Sequence, residues 1–199
     1  LQQIEHGLLS VLGGYKSMGR LYRGIIEPTI RQYVLLGDAM VQTDNFPYDA
    51  SLKEGEIKNG KSGTADDRWV FTEDNPEREL DAAAGLAAAA RVLKNYNPQM
   101  AKDALDAAQN LYKIAAPNAK KQDGRIFALA ELILATGNDA YRQELISLQQ
   151  QVTADIEKTG WAIGRVMASI KDEKFATAVN SAVESYQKTV RERAKTESP

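Results

Sequence analysis

The stretch "NPERELDAAAGLAAAARVLKNYNP", residues 75–98, decides the fold. It begins with an asparagine, which suits a helix N-cap, and a proline, whose missing N–H costs nothing at the first helical position. Asp81 and Arg91 are the only polar residues between positions 80 and 93. A helix that is apolar almost all round must be enclosed by other helices. The stretch therefore predicts a buried helix inside an all-α domain.

Helical periodicity continues along the rest of the chain, with Asn97-Pro98 repeating the same cap chemistry. Short connections between helices make neighbours antiparallel, so the pattern predicts helical hairpins. Very apolar helices alternate with more amphipathic ones, which favours an inner and an outer ring. The further predicted helices are one after Pro98, one at about 121–136 that ends at Gly137, one at 138–156, a short one at 161–170 after a break at Gly160, and one at 175–190.

The first 76 residues are less regular. A first helix with Ile4, Leu8 and Leu12 on one face is expected to end at Gly13-Gly14. Residues 15–76 contain frequent glycine and proline, which predicts a long irregular segment with a short helix near 28–36 and no strands beyond short pairs. A loop of that length within a compact domain is usually functional or disordered. Its interspersed aromatic residues indicate an ordered segment.

Composition excludes several classes of protein. The chain has 199 residues, a formal net charge of −2 and a pI of about 5.6, so no global field favours nucleic acid. It has no cysteine, which excludes a disulfide framework and thiol catalysis. No stretch approaches the length of about 18 apolar residues that a membrane span needs. The 34-residue period of tetratricopeptide repeats is also missing.

Four segments, in order along the chain, resemble those of one enzyme family. They are "QQIEHGLLSVLGGY" at residues 2–15, "YVLLGDAMVQTDN" at 33–45, "ELDAAAGLAAAARVLKNYNPQMAKDALDAAQNLYKIA" at 79–115 and "DGRIFALAELILATGNDAY" at 123–141. The third is similar to an alanine-rich helix pair of the family 9 glycoside hydrolases, and the fourth to their Asp-Glu-Leu-x-Trp segment. Alanine-rich helices are common, so the order of the four segments carries the resemblance. The resemblance covers nearly the whole chain.

The resemblance implies an all-α fold, with helical hairpins forming part of an (α/α)6 toroid, and hydrolysis of cellulose, β-glucan or a related polysaccharide with inversion. Inverting hydrolysis uses two carboxyl groups about 6.5–9.5 Å apart. In the family the base comes from an Asp-Ala-Gly-Asp type of motif and the acid is a later glutamate, and this sequence contains neither motif. We therefore interpret residues 1–199 as a partial catalytic domain, with 15–76 on the cleft side and 77–195 as hairpins. The catalytic Asp pair is expected before Leu1 and the Glu after Pro199.

An alternative function is open at this point. A non-catalytic helical module that binds glycans or acts as a scaffold would keep the aromatic residues and need no pair of acids. For the hydrolase, the expected partners are a polysaccharide or oligosaccharide substrate and the flanking parts of its own catalytic domain. The resemblance implies a periplasmic or secreted protein.

Three candidate substrate-binding residues, Asp66, Arg68 and Trp69, lie in the loop before the alanine-rich helix. Aromatic rings stack on the C–H faces of sugars, while carboxylate and guanidinium groups form hydrogen bonds with hydroxyls. In a toroid such a loop lines the cleft. The alternative is a tryptophan that packs the loop, beside a surface ion pair of Asp66 and Arg68.

Three further candidates are more dispersed. Trp161 follows Gly160 near the family's next cleft aromatic, and Tyr48 and Asp44 accompany the segment at 33–45. Each also has a structural interpretation, which for Trp161 is a core residue at a helix start.

No cofactor is predicted. Asp123 matches an acidic position that helps to bind calcium in many members of the family, but its usual glutamate neighbour is Gly124 here. Calcium takes about six to eight oxygen ligands, so Asp123 alone is only a candidate for one of them, and the favoured interpretation is that it caps its helix.

The 199-residue chain alone is predicted to have no glycosidase activity. Without the carboxyl pair, neither water activation nor protonation of the leaving oxygen is available, and each is worth about 10²–10⁴ in rate. Reducing-end release from a soluble β-glucan should stay at background. Hydrolysis that disappears when an acid within the chain is mutated would contradict this prediction.

Overall fold

A computed structural model describes residues 1–26, 38–41, 46, 48–64, 69–72 and 75–196. The chain divides into two compact units. One comprises residues 1–9 and 75–199, and the other residues 10–74. The first helix, α1 (Gln2–Met18), contains the division between residues 9 and 10.

The described residues of the unit at 10–74 include two small antiparallel sheets. Its strands are β1 (Tyr22–Ile26), β2 (Asp38–Val41), β3 (Ile57–Lys58), β4 (Lys61–Ser62) and β5 (Trp69–Thr72). The first sheet has the order β1-β5-β2, with a register shift between Tyr22 and Gly24. β3 and β4 form a hairpin whose turn, Asn59-Gly60, has positive φ at both residues, as a type I′ turn requires.

The expectation of nothing beyond short strand pairs was wrong. β5 pairs with β1 more than forty residues earlier and with β2 about thirty residues earlier. Strands this short have little local periodicity, so their long-range pairing is not visible in the sequence. The short helix expected near 28–36 lies outside the described residues.

The other unit consists mainly of helices, whose bounds follow the predicted pattern in most places. They are α2 (Pro76–Leu93), α3 (Pro98–Ala115), α4 (Asp123–Thr136), α5 (Asp139–Ser147), α6 (Gln149–Ala154), α7 (Ile156–Val166) and α8 (Glu173–Thr196), with 3-10 turns at Ala116–Asn118 and Met167–Ser169. None of the helices in the described ranges is long and apolar enough to cross a bilayer.

The capping predictions at both asparagine-proline pairs are confirmed. The Asn75 side chain accepts a hydrogen bond from the Arg78 backbone N–H at 3.1 Å, and Asn97 accepts one from Met100 at 3.1 Å. Each bond satisfies one of the free N–H groups of a first helical turn. The Asn97 amide also donates to Glu5 Oε1 at 2.6 Å, which joins the start of α1 to the connection between α2 and α3.

Two helix ends predicted at glycines were wrong. α1 continues through Gly13-Gly14 to Met18, and Gly160 lies inside α7, so Trp161 is not at a helix start. Glycine costs a helix interior only about 1 kcal/mol, which packing easily exceeds. The helix predicted at 138–156 instead divides at Leu148 and at Asp155.

The helices pack around an apolar core. α2 packs against α3 and α4, α4 packs against α5 and α7, and α8 packs against α6 and α7. We refer to α2, α4 and α7, which contact one another in series, as the inner layer. Leu80, Leu93, Leu129, Ile163 and Phe175 are among the fully buried side chains.

The enclosure of α2 is less complete than the sequence predicted. α3 and α4 cover two of its sides, where Ala83 and Ala87 are fully buried. A third side, which includes Asp81, Gly85 and Val92, is exposed. These positions are spaced by four and seven residues, so they share one face.

Gly63→Ala is expected to destabilise the β3–β4 region by about 1–3 kcal/mol. A Cβ at residue 63 would lie 1.9 Å from the Lys53 carbonyl oxygen, so the backbone would have to move. Amide hydrogen exchange over residues 48–64 should become faster. The control is Gly7→Ala in α1, where the new Cβ would have no atom within 4 Å. Amide exchange over residues 48–64 should not increase in that variant. Equal exchange in both variants would contradict the prediction.

Candidate functional site

Two aromatic rings, of which one is mostly exposed and one half-buried, meet between α4 and α7. Trp161 of α7 is 58% exposed, and its ring lies 5.2 Å from that of Phe127 of α4, centroid to centroid, at an interplanar angle of 41°. Each residue lies about one turn from the start of its helix. Tryptophan usually buries most of its large apolar surface, so a ring this exposed is a candidate for ligand contact.

A cation contacts the same tryptophan. The Arg165 guanidinium carbon lies 5.9 Å from the Trp161 ring centroid, within the range of a cation–π interaction. Because Trp161 and Arg165 are four residues apart on α7, they are neighbours on one helix face.

A buried carboxylate holds the inner layer together at this surface. Glu131 of α4 has a side chain only 8% exposed, and its Oε1 forms an ion pair with Arg165 of α7. Its Oε2 forms a second ion pair, at 3.2 Å, with Arg91 of α2. The three helices are thus joined by one carboxylate between two guanidinium groups.

This arrangement suits binding better than acid–base chemistry. Both oxygens of Glu131 are already in ion pairs. Each guanidinium has five N–H donors, so Arg91 and Arg165, which are each 38% exposed, keep donors available to a ligand. We refer to the surface formed by Trp161, Phe127, Arg165, Glu131 and Arg91 as the inner-layer surface.

The candidates in the segment before α2 are described only in part. Trp69 lies in β5, between Ile26 and Val41 of the flanking strands, so the prediction of a loop position for it was wrong. The run of Trp, Val, Phe and Thr consists of residues that favour strands, and its pairing with two partners stabilises that conformation. Asp66, Arg68 and Asp44 lie outside the described residues.

Tyr48 belongs to the unit at residues 10–74, whereas Trp161 belongs to the other unit. Tyr48 is half-buried and forms an isolated bridge with Ser62. The next residue, Asp49, donates its backbone N–H to the Ser62 carbonyl at 2.8 Å. Tyr48 therefore has a defined backbone position, and its role in binding stays a prediction.

Asp123 lies beside other acidic residues at the start of α4. Its Oδ1 accepts a hydrogen bond from the adjacent Gly124 N–H at 2.9 Å. The N-cap of α4 is Gln122, and no side chain forms a capping hydrogen bond there, so the expectation that Asp123 caps the helix was wrong. Partial burial, followed by repulsion from Asp123 and then Glu77, raises the pKa of Asp81. In the described part of the chain, no three His, Cys, Asp or Glu residues are arranged to hold a metal ion.

Phe127, Glu131, Arg91 and Arg165 were not predicted from the sequence as site residues. Two signals were present. Glu131 is the one charged residue within "IFALAELILAT", and Arg91 is one of two polar residues in the alanine-rich stretch. Phe127 also occupies the position of the tryptophan in the Asp-Glu-Leu-x-Trp segment. What the sequence could not show is that these residues from three helices meet.

The fold and the inner-layer surface define the class of protein as a mostly helical scaffold with an exposed aromatic and cationic surface. The family model of glycosyl hydrolase family 9 matches residues 31–197. The chain therefore belongs to glycosyl hydrolase family 9, and its hairpins form part of the (α/α)6 fold of that family. Comparisons with curated proteins and with solved structures gave no significant match. Membership implies hydrolysis of β-glucan by an inverting mechanism, and enzymes of this family are typically extracellular.

Glu131→Gln is expected to lower the free energy of unfolding by about 1–3 kcal/mol, because two guanidinium groups lose their shared carboxylate. The partial exposure of Arg91 and Arg165 keeps the loss below that of a fully buried pair. Chemical denaturation measures it. The control is Glu192→Gln, which breaks an exposed ion pair with Lys195 and should change stability by less than about 0.5 kcal/mol. If both variants lose a similar free energy of unfolding, the ion pairs of the buried Glu131 stabilise the fold no more than an exposed ion pair does, which contradicts the prediction.

Proposed function

We propose that the full-length protein hydrolyses a β-linked glucan by inversion, and that this chain supplies helical scaffold and part of the substrate-binding surface. Family membership supports the reaction class. The single observation that supports the binding role is the exposed Trp161 ring beside Phe127 and Arg165.

Carbohydrate binding matches the chemistry of the inner-layer surface. The C–H face of a sugar ring is apolar and packs on an aromatic face, while its hydroxyls need hydrogen-bond donors and acceptors. Trp161 offers the ring, and Arg165 and Arg91 offer N–H donors. Because Arg165 is tied to the buried Glu131, its position is fixed before a ligand arrives, which reduces the entropy cost of binding.

The catalytic carboxylates are proposed to lie outside this chain. Glu131 and Glu144 are both engaged in ion pairs with arginine. An inverting pair requires one carboxylate that activates water and one carboxylic acid that donates a proton. The family motifs for these two groups do not occur in the sequence.

The candidates Asp66, Arg68, Trp69, Tyr48 and Asp44 are proposed to contribute from the unit at residues 10–74. Their role rests on the sequence resemblance. We also propose a periplasmic or secreted location, by analogy with the family.

A non-catalytic glycan-binding or scaffolding module is the second candidate function. The same surface supports it, because an aromatic and cationic surface binds sugars with or without a catalytic pair nearby. Sequence on either side of this chain distinguishes the two functions. An Asp pair before Leu1 and a Glu after Pro199 would support the hydrolase, and their absence would support the binding module.

Trp161→Ala in the full-length protein is expected to weaken cellotetraose binding by about 1 kcal/mol or more, roughly five- to tenfold, through loss of the stacking ring. Truncation of a buried tryptophan would instead cost about 3–5 kcal/mol of stability, whereas Trp161 is mostly exposed. Calorimetric titration and a thermal melt of the same variant separate these effects.

The matched control is Tyr186→Ala, which removes an exposed aromatic ring from α8. It should leave affinity unchanged. If Trp161→Ala lowers the melting temperature strongly but binds cellotetraose as the wild type does, the ring has a packing role and the binding surface is wrongly assigned.

A further inference from the structure

A cavity of about 550 Å³ lies in the helical unit, where α3, α4 and α5 meet. Arg125, which contributes to it, and Phe127 of the inner-layer surface are two residues apart on α4. Residues at that spacing point to nearly opposite sides of a helix. The volume lies within the range of about 300–1,000 Å³ that is typical of small-molecule sites. Its main lining residues are Gln109, Tyr112, Lys113, Arg125, Tyr141 and Glu144.

The base of the cavity is a network of satisfied hydrogen bonds. The buried Tyr112 donates its hydroxyl to Glu144 Oε1 at 2.5 Å, and Arg125 pairs with the same oxygen through Nη2 at 2.5 Å and Nε at 3.1 Å. Burial and the hydrogen bond to Glu144 raise the pKa of Tyr112, so its phenol stays protonated. Residues from three helices are therefore fixed relative to one another before any ligand binds.

One wall of the cavity is an aromatic ring. Tyr141 is half-buried and meets Tyr112 edge to face, with ring centroids 5.9 Å apart and an interplanar angle of 85°. This packing fixes the plane of the Tyr141 ring, and Gln109 donates to its hydroxyl at 3.4 Å. Ala116 and Pro117 add apolar surface.

Two polar side chains at the cavity have no partner within the described residues. Asn110 and Lys113 make no side-chain hydrogen bond or ion pair in that part of the chain, and both are exposed on α3. An amide both donates and accepts, and an ammonium group donates. Since Arg125 is neutralised by Glu144, the ammonium of Lys113 is the main uncompensated charge among the lining residues. A single ammonium group is too little positive charge to hold a polyanion. It can donate hydrogen bonds to the hydroxyls of a neutral ligand, so the cavity suits such a ligand better.

We propose that this cavity is a second saccharide-binding site, which takes a hexose unit of a β-linked glucan outside the catalytic cleft. The hexose packs a C–H face on Tyr141 and bonds its hydroxyls to Asn110 and Lys113. The choice of glucan rests on the proposed function. Binding one polymer at two sites raises the effective concentration of substrate at the cleft.

Calorimetric titration of cellotetraose into the full-length protein tests this inference. The wild type should bind at two sites, and the double variant Asn110→Ala/Lys113→Ala should weaken one of them at least fivefold. Both residues are exposed, so a thermal melt should be unchanged. The matched control removes the same two residue types from the exposed face of α8, as Asn180→Ala/Lys188→Ala, and should keep both sites.

Trp161→Ala distinguishes the two binding surfaces. Loss of one site in the Asn110/Lys113 variant and of the other in Trp161→Ala supports both proposals. If the wild type binds at a single site that only Trp161→Ala weakens, the cavity inference is overturned and the proposed function stays intact. If it binds at a single site that only the Asn110/Lys113 variant weakens, the cavity inference is supported and the role of Trp161 in binding is overturned. Absence of binding to the wild type overturns both.

Discussion

The close packing of the alanine-rich helix α2 against α3 and α4 is the constraint on which the rest of the helical unit depends. Alanine has almost no side chain with which to span a gap, so a helix surface of alanines gains contact only if its neighbours approach closely. Ala83 and Ala87 of α2, Ala104 and Ala108 of α3, and Ala128 of α4 are all fully buried. Leucines at both ends of α2, at positions 80 and 93, add the larger buried volumes.

The inner layer leaves one surface exposed, and its residues differ from those of the core. A face of leucines there would be an exposed apolar patch. The chain instead joins α2, α4 and α7 through Glu131 and its two arginines. Burial of the Glu131 carboxylate is tolerated because both of its oxygens are in ion pairs with arginine, which offset the cost of removing the charge from water. The bridge thus orders the helices beneath Trp161 and leaves the ring itself free to contact a ligand.

Local chemistry made much of the fold predictable. The caps at Asn75 and Asn97 depend on residues within one helical turn, and the structure has both. The breaks at Gly13-Gly14 and Gly160 were wrong because a weak local preference yields to tertiary packing. The three-stranded sheet was missed because its pairing joins residues far apart in sequence. Trp161 was a candidate from sequence, but the meeting of Glu131 with arginines from two other helices depends on the tertiary structure.

The two proposed binding surfaces place different demands on α4. Phe127 and Glu131 belong to its inner-layer side, whereas Arg125 contributes to the cavity between α3, α4 and α5. Most of the residues between these positions are buried and apolar. Ile126, Leu129, Leu132 and Ile133 anchor α4. Because a rigid helix moves as one body, displacement of α4 by a ligand on one side would be transmitted to the other. The ion pairs on both sides, Arg165 with Glu131 and Arg125 with Glu144, restrain that displacement and keep each surface ready to bind without the other.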